Sequence, residues 1–204
     1  QHPAQITSHD HGKILRLNED GSIPADNPFV GRDGFAPEIW SYGHRNPQGL
    51  AFDRETGILW ETEHGPQGGD ELNQILPGRN YGWPVITYGM NYRVGTPIGH
   101  REQEGMEQPA AFWVPSIATS GLMIYHGDKF PMWKGNAFVG GLSAQYQQLS
   151  RVMLDGSTVT NREPLLQNKM RIRDVREGPD GYIYIATDNQ LGNPTPIVRL
   201  EPAD

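Results

Sequence analysis

The sequence predicts an all-β fold assembled from repeated small sheets, and three observations support this. Its 204 residues include 25 Gly and 17 Pro, without a long apolar stretch of helical period, and such a composition favours short strands joined by turns. Asp-Gly turns follow the strand-like segments 14–18 and 149–154. Arg151 and Arg199 occupy similar strands 48 residues apart (199 − 151), close to the ~40–50-residue period of propeller blades.

A strand–turn–strand pattern in which the second strand ends in an acid divides the chain into blades. It occurs at residues 48–63 and again at 174–188. We predict blades at 38–76, 121–165 and 172–202, a strand pair with a long loop at 80–111, and a loop before residue 14. This is about four blades in one partial propeller domain, residues 1–204. A closed four-bladed ring and an unrelated β-sandwich are the alternatives.

Charge and composition exclude several functional classes. Lys and Arg total 17 against 24 Asp and Glu, a net charge of -7, which argues against nucleic acid as a partner. No apolar run reaches the ~18–20 residues that span a bilayer. The absence of cysteine excludes disulfides and a thiol nucleophile, and it suits an oxidising compartment. Because the chain starts at Gln1 rather than Met, we expect it to be processed, trimmed or a fragment.

Two polar segments at strand ends carry the strongest functional signal. Residues 41–52 contain Arg45 and Asn46 beside Gly and Pro, and residues 63–71 contain Gly65, Pro66 and two adjacent acids. Loops on a rigid scaffold are where binding sites usually form. The two segments are therefore expected to converge on one site, the alternative being two polar hairpin loops.

In this order, the two segments resemble the soluble quinoprotein sugar dehydrogenases, which use pyrroloquinoline quinone and calcium. The similarity runs from residues 12–18 through 26–29 to 171–175 and is greatest to the bacterial aldose sugar dehydrogenases. It implies a six-bladed propeller of which this chain is the C-terminal portion. It also implies oxidation of an aldose at C1 to a lactone, electron transfer to an acceptor, a periplasmic or secreted location, and the N-terminal part of the same protein as a partner.

The implied cofactor is a flat quinone with three carboxylates, which needs cations and aromatic faces. Arg171 and Arg173 alternate along a predicted strand and should point to one face, and arginine binds carboxylates in a bidentate manner. Unaided by the resemblance, this pair would be a solvated strand face, and an aromatic residue would be a core residue. By the resemblance, the cofactor site comprises Arg45, Asn46, Tyr92, Trp113, Gly141, Leu142, Ser143, Arg171 and Arg173. Ser143 stands where several relatives have a lysine.

The resemblance also implies calcium sites. Gly65 and Pro66 match the turn whose backbone carbonyls bind the calcium beside the cofactor; calcium prefers oxygen ligands, and proline fixes such a turn. Glu71 matches a ligating carboxylate and Tyr81 a backbone ligand of a second calcium ion. The alternative is that Asp70 and Glu71 only cap a loop.

The catalytic base of the family is a histidine that lies upstream of everything matched here. We therefore assign no catalytic residue in this chain, although His44 and His64 flank the predicted site. Alone, the chain is expected to be inactive. A non-catalytic propeller that binds a ligand and a calcium-dependent lactonase-like propeller are the alternative functions.

Overall fold

The structure is a computed structural model that describes residues 2–203 and consists almost entirely of β-strands, which confirms the all-β prediction. The described residues contain two single-turn 3₁₀ helices, Pro3–Gln5 and Pro131–Trp133. Neither of these helices is long and apolar enough to span a membrane. The strands are β1 (Lys13–Leu15), β2 (Ile39–Tyr42), β3 (Pro47–Phe52), β4 (Leu59–Glu63), β5 (Asp70–Ile75), β6 (Ala111–Trp113), β7 (Thr119–Ile124), β8 (Ala137–Gly141), β9 (Leu149–Asp155), β10 (Thr158–Leu165), β11 (Arg171–Glu177), β12 (Ile183–Asp188) and β13 (Ile197–Leu200).

These strands form four antiparallel sheets. Two sheets have four strands in sequential order, β3-β4-β5-β6 and β7-β8-β9-β10, one has three, β11-β12-β13, and one has two, β1-β2. The β9–β10 hairpin closes with Asp155 opposite Thr158, so the Asp-Gly turn at residue 155 is confirmed. Arg151 in β9 and Arg199 in β13 both lie on the third strand of their sheet, which confirms the repeat that they indicated.

The innermost strands β3, β7 and β11 pack side by side and run in the same direction. Near the strand starts, Ser120 Oγ donates a hydrogen bond of 2.6 Å to the carbonyl oxygen of Ile172. At the strand ends, the His126 amide donates to Glu177 at 2.7 Å, and Nε2 of His126 lies 3.1 Å from Asp53. The sheets therefore form an arc around an axis, with the three strand starts at one end of that axis.

Two apolar cores hold neighbouring sheets together. Trp60, Leu72 and Leu122 belong to the core between the two four-stranded sheets, and Phe138 and Ile185 belong to the core between β7–β10 and β11–β13. Gly49 allows close approach within the first core, because an added Cβ would lie 2.7 Å from Cβ of Leu122. The sheets thus stack tightly through their faces, as blades do.

The predicted boundary of the first blade is wrong at both ends. β2 pairs with β1 rather than with β3 or β4, because the chain turns sharply at Gly43, whose φ is +79° and whose Cα leaves no room for a side chain beside Asn80. The blade gains β6 as its fourth strand instead. Residues 47–113, not 38–76, therefore contain this blade.

Two other local predictions also differ from the structure. The Asp20-Gly21 turn does not connect a hairpin, since Leu15 pairs with Ile39 across the loop 16–38. An ion pair of 2.9 Å between Arg16 and Asp26 joins two parts of that loop. Within residues 80–110 the described structure contains only isolated bridges, such as Ile86 with His100, rather than the predicted strand pair.

Truncation of a core isoleucine should destabilise the arc far more than truncation of an exposed one in the same sheet. Ile185 is fully buried, whereas Ile197 is 72% exposed. Ile185→Ala should lower the free energy of unfolding by about 2–5 kcal/mol, and Ile197→Ala by less than about 0.5 kcal/mol. Urea denaturation monitored by tryptophan fluorescence measures both values, and equal losses would contradict the assigned core.

Candidate functional site

Glu63, the last residue of β4, fixes the segment that carries Arg45 and Asn46. Its Oε2 accepts hydrogen bonds from both backbone amides, at 2.5 Å from Arg45 and 3.0 Å from Asn46. The Arg45 guanidinium donates to the carbonyl oxygen of His64 at 2.9 Å and lies 5.2 Å from the centre of the Trp83 ring. Its Nε is buried and has no hydrogen-bond partner among residues 2–203.

The turn at Gly65 and Pro66 is tight and buried. A Cβ on Gly65 would lie 2.3 Å from the carbonyl oxygens of Gly68 and Gly69, so only glycine fits. Oδ1 of Asp70 accepts from the Gly65 amide at 3.1 Å, and its Oδ2 accepts from Ser116 at 2.7 Å. In the part of the chain that the structure describes, no donor hydrogen-bonds to the carbonyl oxygen of Gly65 or Pro66. These two oxygens are available to a cation.

Arg171 and Arg173, at the start of β11, share one carboxylate. Asp188, the last residue of β12, lies 3.3 Å from Arg171 and 2.6 Å from Arg173, so both arginines point to the same face, as predicted. Arg171 also donates to the carbonyl oxygen of Leu142, and its Nε is buried and unpaired among the described residues. The Gln190 amide and the two arginines hold the pKa of Asp188 below its usual value.

The other predicted cofactor residues have diverse surroundings. Asn46 is exposed, and its Oδ1 accepts from Gln48 at 3.0 Å. Gly141 ends β8, and the amides of Leu142 and Ser143 bond to Ala118 and Ile117 at 2.9 Å, which binds this segment to the chain just before β7.

Two aromatic candidates differ strongly in exposure. Tyr92 is 61% exposed on the irregular segment after Met90. Trp113 lies in the apolar core, with the Arg162 guanidinium 5.3 Å from its ring centre. Trp113 thus packs with core residues, and its stacking on the cofactor stays a prediction.

Three glutamates face one another beside the Arg45 segment. Glu61 lies opposite Asn73 and Glu63 opposite Glu71 across β4 and β5, and Nδ2 of Asn73 lies 3.1–3.3 Å from an oxygen of each glutamate. Burial and the neighbouring charge of Glu63 raise the pKa of Glu71 to about 8 and raise the pKa of Glu61 well above its usual value. This is a strongly acidic pocket within the blade.

Tyr81 borders this acidic pocket. Its ring stacks on His44 with centroids 4.6 Å apart, and its hydroxyl donates to the carbonyl oxygen of Gln74. Burial raises the pKa of Tyr81 above its usual value. The backbone oxygen of Tyr81 accepts no hydrogen bond from the residues described. A small cavity of about 10 Å³ lies between Tyr81, Glu63 and Glu71, next to Arg45 and Gly65.

The start of β7 connects the two halves of the candidate site. A ring nitrogen of His64 lies 2.6 Å from the carbonyl oxygen of Thr119, beside the Gly65 turn. On its other side, β7 contacts β11 through Ser120. Sequence reasoning missed Glu63 and Asp188 as positioning residues, although both are the acids that end the second strand of the recurring pattern.

The family model described as glucose/sorbosone dehydrogenase matches residues 1–199. The chain belongs to this family. It is 46% identical over 195 residues to aldose sugar dehydrogenase YliI of Escherichia coli, a match that covers 94% of this chain and 51% of the relative. It is 30% identical over 234 residues to quinoprotein glucose dehydrogenase B of Acinetobacter calcoaceticus, covering 87% and 48%.

One similar solved structure contains PQQ. The aldose sugar dehydrogenase of Streptomyces coelicolor in its PQQ-bound form superposes with a TM-score of 0.70 at 32% identity, over 93% of this chain and 52% of that one. The likeness to these sugar dehydrogenases confirms the propeller-type fold class. The chain spans about half the length of the relatives that it matches.

Protonation of Asp188 should release both arginines. Because the folded-state pKa of Asp188 is depressed, its pairs stabilise the fold above the unfolded pKa of ~3.9, and this stabilisation is lost as the pH falls through the folded pKa. Carbon-13 NMR titration should give a pKa below ~3.9 in the wild type and a higher one in Arg173→Gln. An unchanged Asp188 titration in the variant would contradict this pairing.

Proposed function

We propose that this chain supplies the pyrroloquinoline quinone and calcium site of a quinoprotein that oxidises aldoses at C1 to lactones. One observation supports this most strongly. Arg45 and Arg171, at the same end of the arc, each have a buried Nε–H without an acceptor among residues 2–203. Buried donors are normally paired, so an anionic ligand is expected there. A quinone with three carboxylates satisfies this requirement, and two relatives are a quinoprotein and a PQQ-bound dehydrogenase.

The same end of the arc offers oxygen ligands for calcium. The unpaired carbonyl oxygens of Gly65 and Pro66 suit a Ca²⁺ ion beside the cofactor, because this cation prefers several oxygen ligands. The carboxylate of Glu71 and the backbone oxygen of Tyr81 fit a second ion, since both residues border one cavity that Glu63 also lines. The donor set therefore fits the proposed metal.

In this proposal the residues of the chain bind and orient, and they do not transfer the proton. A bound quinone would supply the acceptor for a hydride from C1 of the sugar, and a bound calcium ion would supply Lewis-acid polarisation of the quinone. Arg45, Arg171 and Arg173 neutralise the carboxylates of the cofactor, while Glu63 and Asp188 hold these arginines in place. We assign the general base to a histidine of the N-terminal part of the protein, and the electrons pass to a separate acceptor.

The partner that we infer is that N-terminal part, in a periplasmic or secreted protein. Leu50 and Phe52, on the innermost strand β3, are 51% and 60% exposed. They border an apolar groove of about 450 Å³ between β3–β6 and the β1–β2 sheet. Such a face on an innermost strand suits contact with a further blade, and relatives about twice as long support its existence.

Quinone binding tests the cofactor site. Arg173→Ala should weaken the binding of pyrroloquinoline quinone in the presence of Ca²⁺ by roughly 1.5–3 kcal/mol, the contribution of a hydrogen bond to a charged group. The control is Arg54→Ala, which removes an exposed arginine after β3, at the opposite end of the arc. Absorbance titration of the quinone measures both affinities. Equal affinity of wild type and Arg173→Ala would contradict the role of this arginine, and no binding to the wild type would contradict the proposal.

Activity of the chain alone tests the assignment of the base. We compare the rate of glucose-dependent dye reduction at saturating quinone and Ca²⁺. The 204 residues alone should be slower by ~10²–10⁴-fold than the same chain joined to the N-terminal part, because general-base catalysis is absent. Steady-state dye reduction measures both rates. Activity of the chain alone at the rate of the joined protein would show that the base lies within residues 1–204.

A further inference from the structure

His44, Glu61 and Glu63 form a fully buried cluster in which one potential ligand atom from each lies within 4.8 Å of the others. The side chains of His44 and Glu61 are completely buried, and that of Glu63 nearly so. Nδ1 of His44 and Oε1 of Glu61 have no hydrogen-bond partner among the described residues. Two unpaired polar atoms in one enclosed place indicate that a third group lies between them, because buried polar atoms are normally paired.

The orientation of His44 favours a metal as that group. Its Nε2 lies 2.8 Å from Oγ of Ser41. A proton on Nε2 donated to this hydroxyl leaves a lone pair on Nδ1, directed at the two carboxylates. Metal-ligating histidines are typically oriented in this way by a hydrogen bond from the other ring nitrogen. In that tautomer and without a cation, the lone pair on Nδ1 and the carboxylate oxygens would repel one another.

The unbalanced negative charge of the neighbouring glutamates also favours a bound cation. Glu61, Glu63 and Glu71 lie around Asn73, and among residues 2–203 no Lys or Arg side chain forms an ion pair with any of the three. Buried carboxylates are normally paired or coordinate a metal. The Glu63 oxygen that faces His44 is Oε1, since Oε2 is already bonded to the amides of Arg45 and Asn46.

We propose that His44 Nδ1, Glu61 and Glu63 bind a divalent transition-metal cation of the Zn²⁺ or Mn²⁺ class beneath the Arg45 segment. Nδ1 of His44 and Oε1 of Glu63 are 3.5 Å apart, close to the ~3.4 Å between two ligands of a tetrahedral ion bound at ~2.1 Å. One imidazole with two carboxylates suits Zn²⁺ or Mn²⁺ better than Ca²⁺, which takes oxygen ligands. Its nitrogen ligand distinguishes this site chemically from the proposed calcium sites at Gly65–Pro66 and Glu71–Tyr81, the second of which Glu63 also borders.

Metal binding to the full chain tests this site. After removal of metal by a chelator, the protein is loaded with one equivalent of Mn²⁺ and examined by pulsed electron paramagnetic resonance for coupling to an imidazole nitrogen. The coupling is expected in the wild type and in Glu71→Gln, and it should be absent in His44→Gln. Glu61→Gln should weaken Mn²⁺ binding at least tenfold in equilibrium dialysis. Circular dichroism establishes that each variant is folded.

A measurement on the wild-type protein tests the metal site even if a variant does not fold. Anomalous diffraction from crystals grown with Zn²⁺ should show an ion ~2.0–2.2 Å from Nδ1 of His44. Mn²⁺ binding without nitrogen coupling, or an ion only at Glu71 and Tyr81, would overturn the proposal. A wild-type chain that binds neither Mn²⁺ nor Zn²⁺ would also overturn it and would leave protons as the balancing charges of the cluster.

Discussion

A carboxylate at the end of the second strand of a blade holds the polar groups at the start of the innermost strand. In one blade Glu63, at the end of β4, accepts the amides of Arg45 and Asn46 just before β3. In another, Asp188, at the end of β12, pairs with Arg171 and Arg173 at the start of β11. Because antiparallel pairing places these two positions side by side, a carboxylate recurs at the same place around the axis. It fixes the backbone of Arg45 in one blade and the side chains of Arg171 and Arg173 in the other.

This arrangement also explains why the candidate site lies at one end of the arc. At the far end, the ring nitrogens of His126 lie 3.1 Å from Asp53 and 3.4 Å from Glu55, and Glu55 lies 3.2 Å from Lys134. Acidic and basic side chains there lie next to one another within the chain. At the near end, the Nε–H groups of Arg45 and Arg171 have no acceptor in the described structure. The unpaired groups at this end belong to arginines, which are permanently charged, so an anionic ligand can bind there.

The sequence predicted those features of the fold that depend on short-range interactions. The turns at Gly57, Gly156 and Gly181 each have positive φ and connect neighbouring strands of one sheet. The prediction was wrong where pairing is long-range, since β1 pairs with β2 across a loop of more than 20 residues. An Asp-Gly dipeptide permits a hairpin but does not require one, and the pairing of Leu15 with Ile39 depends on contacts that no local pattern contains.

The candidate site shows the same division. Gly65, Arg45 and the Arg171–Arg173 pair were predicted as site residues from the family resemblance, whereas Glu61 and Asn73 were not predicted, because their proximity depends on the register of β4 with β5. That register places Glu61 opposite Asn73 and Glu63 opposite Glu71, so three acids share one buried face. Such a concentration of like charge is unfavourable unless protons or cations compensate it. Glu63 belongs to this cluster and also accepts the backbone amide of Arg45. The position of Arg45 therefore depends on the protons or cations that balance the charge of the three glutamates.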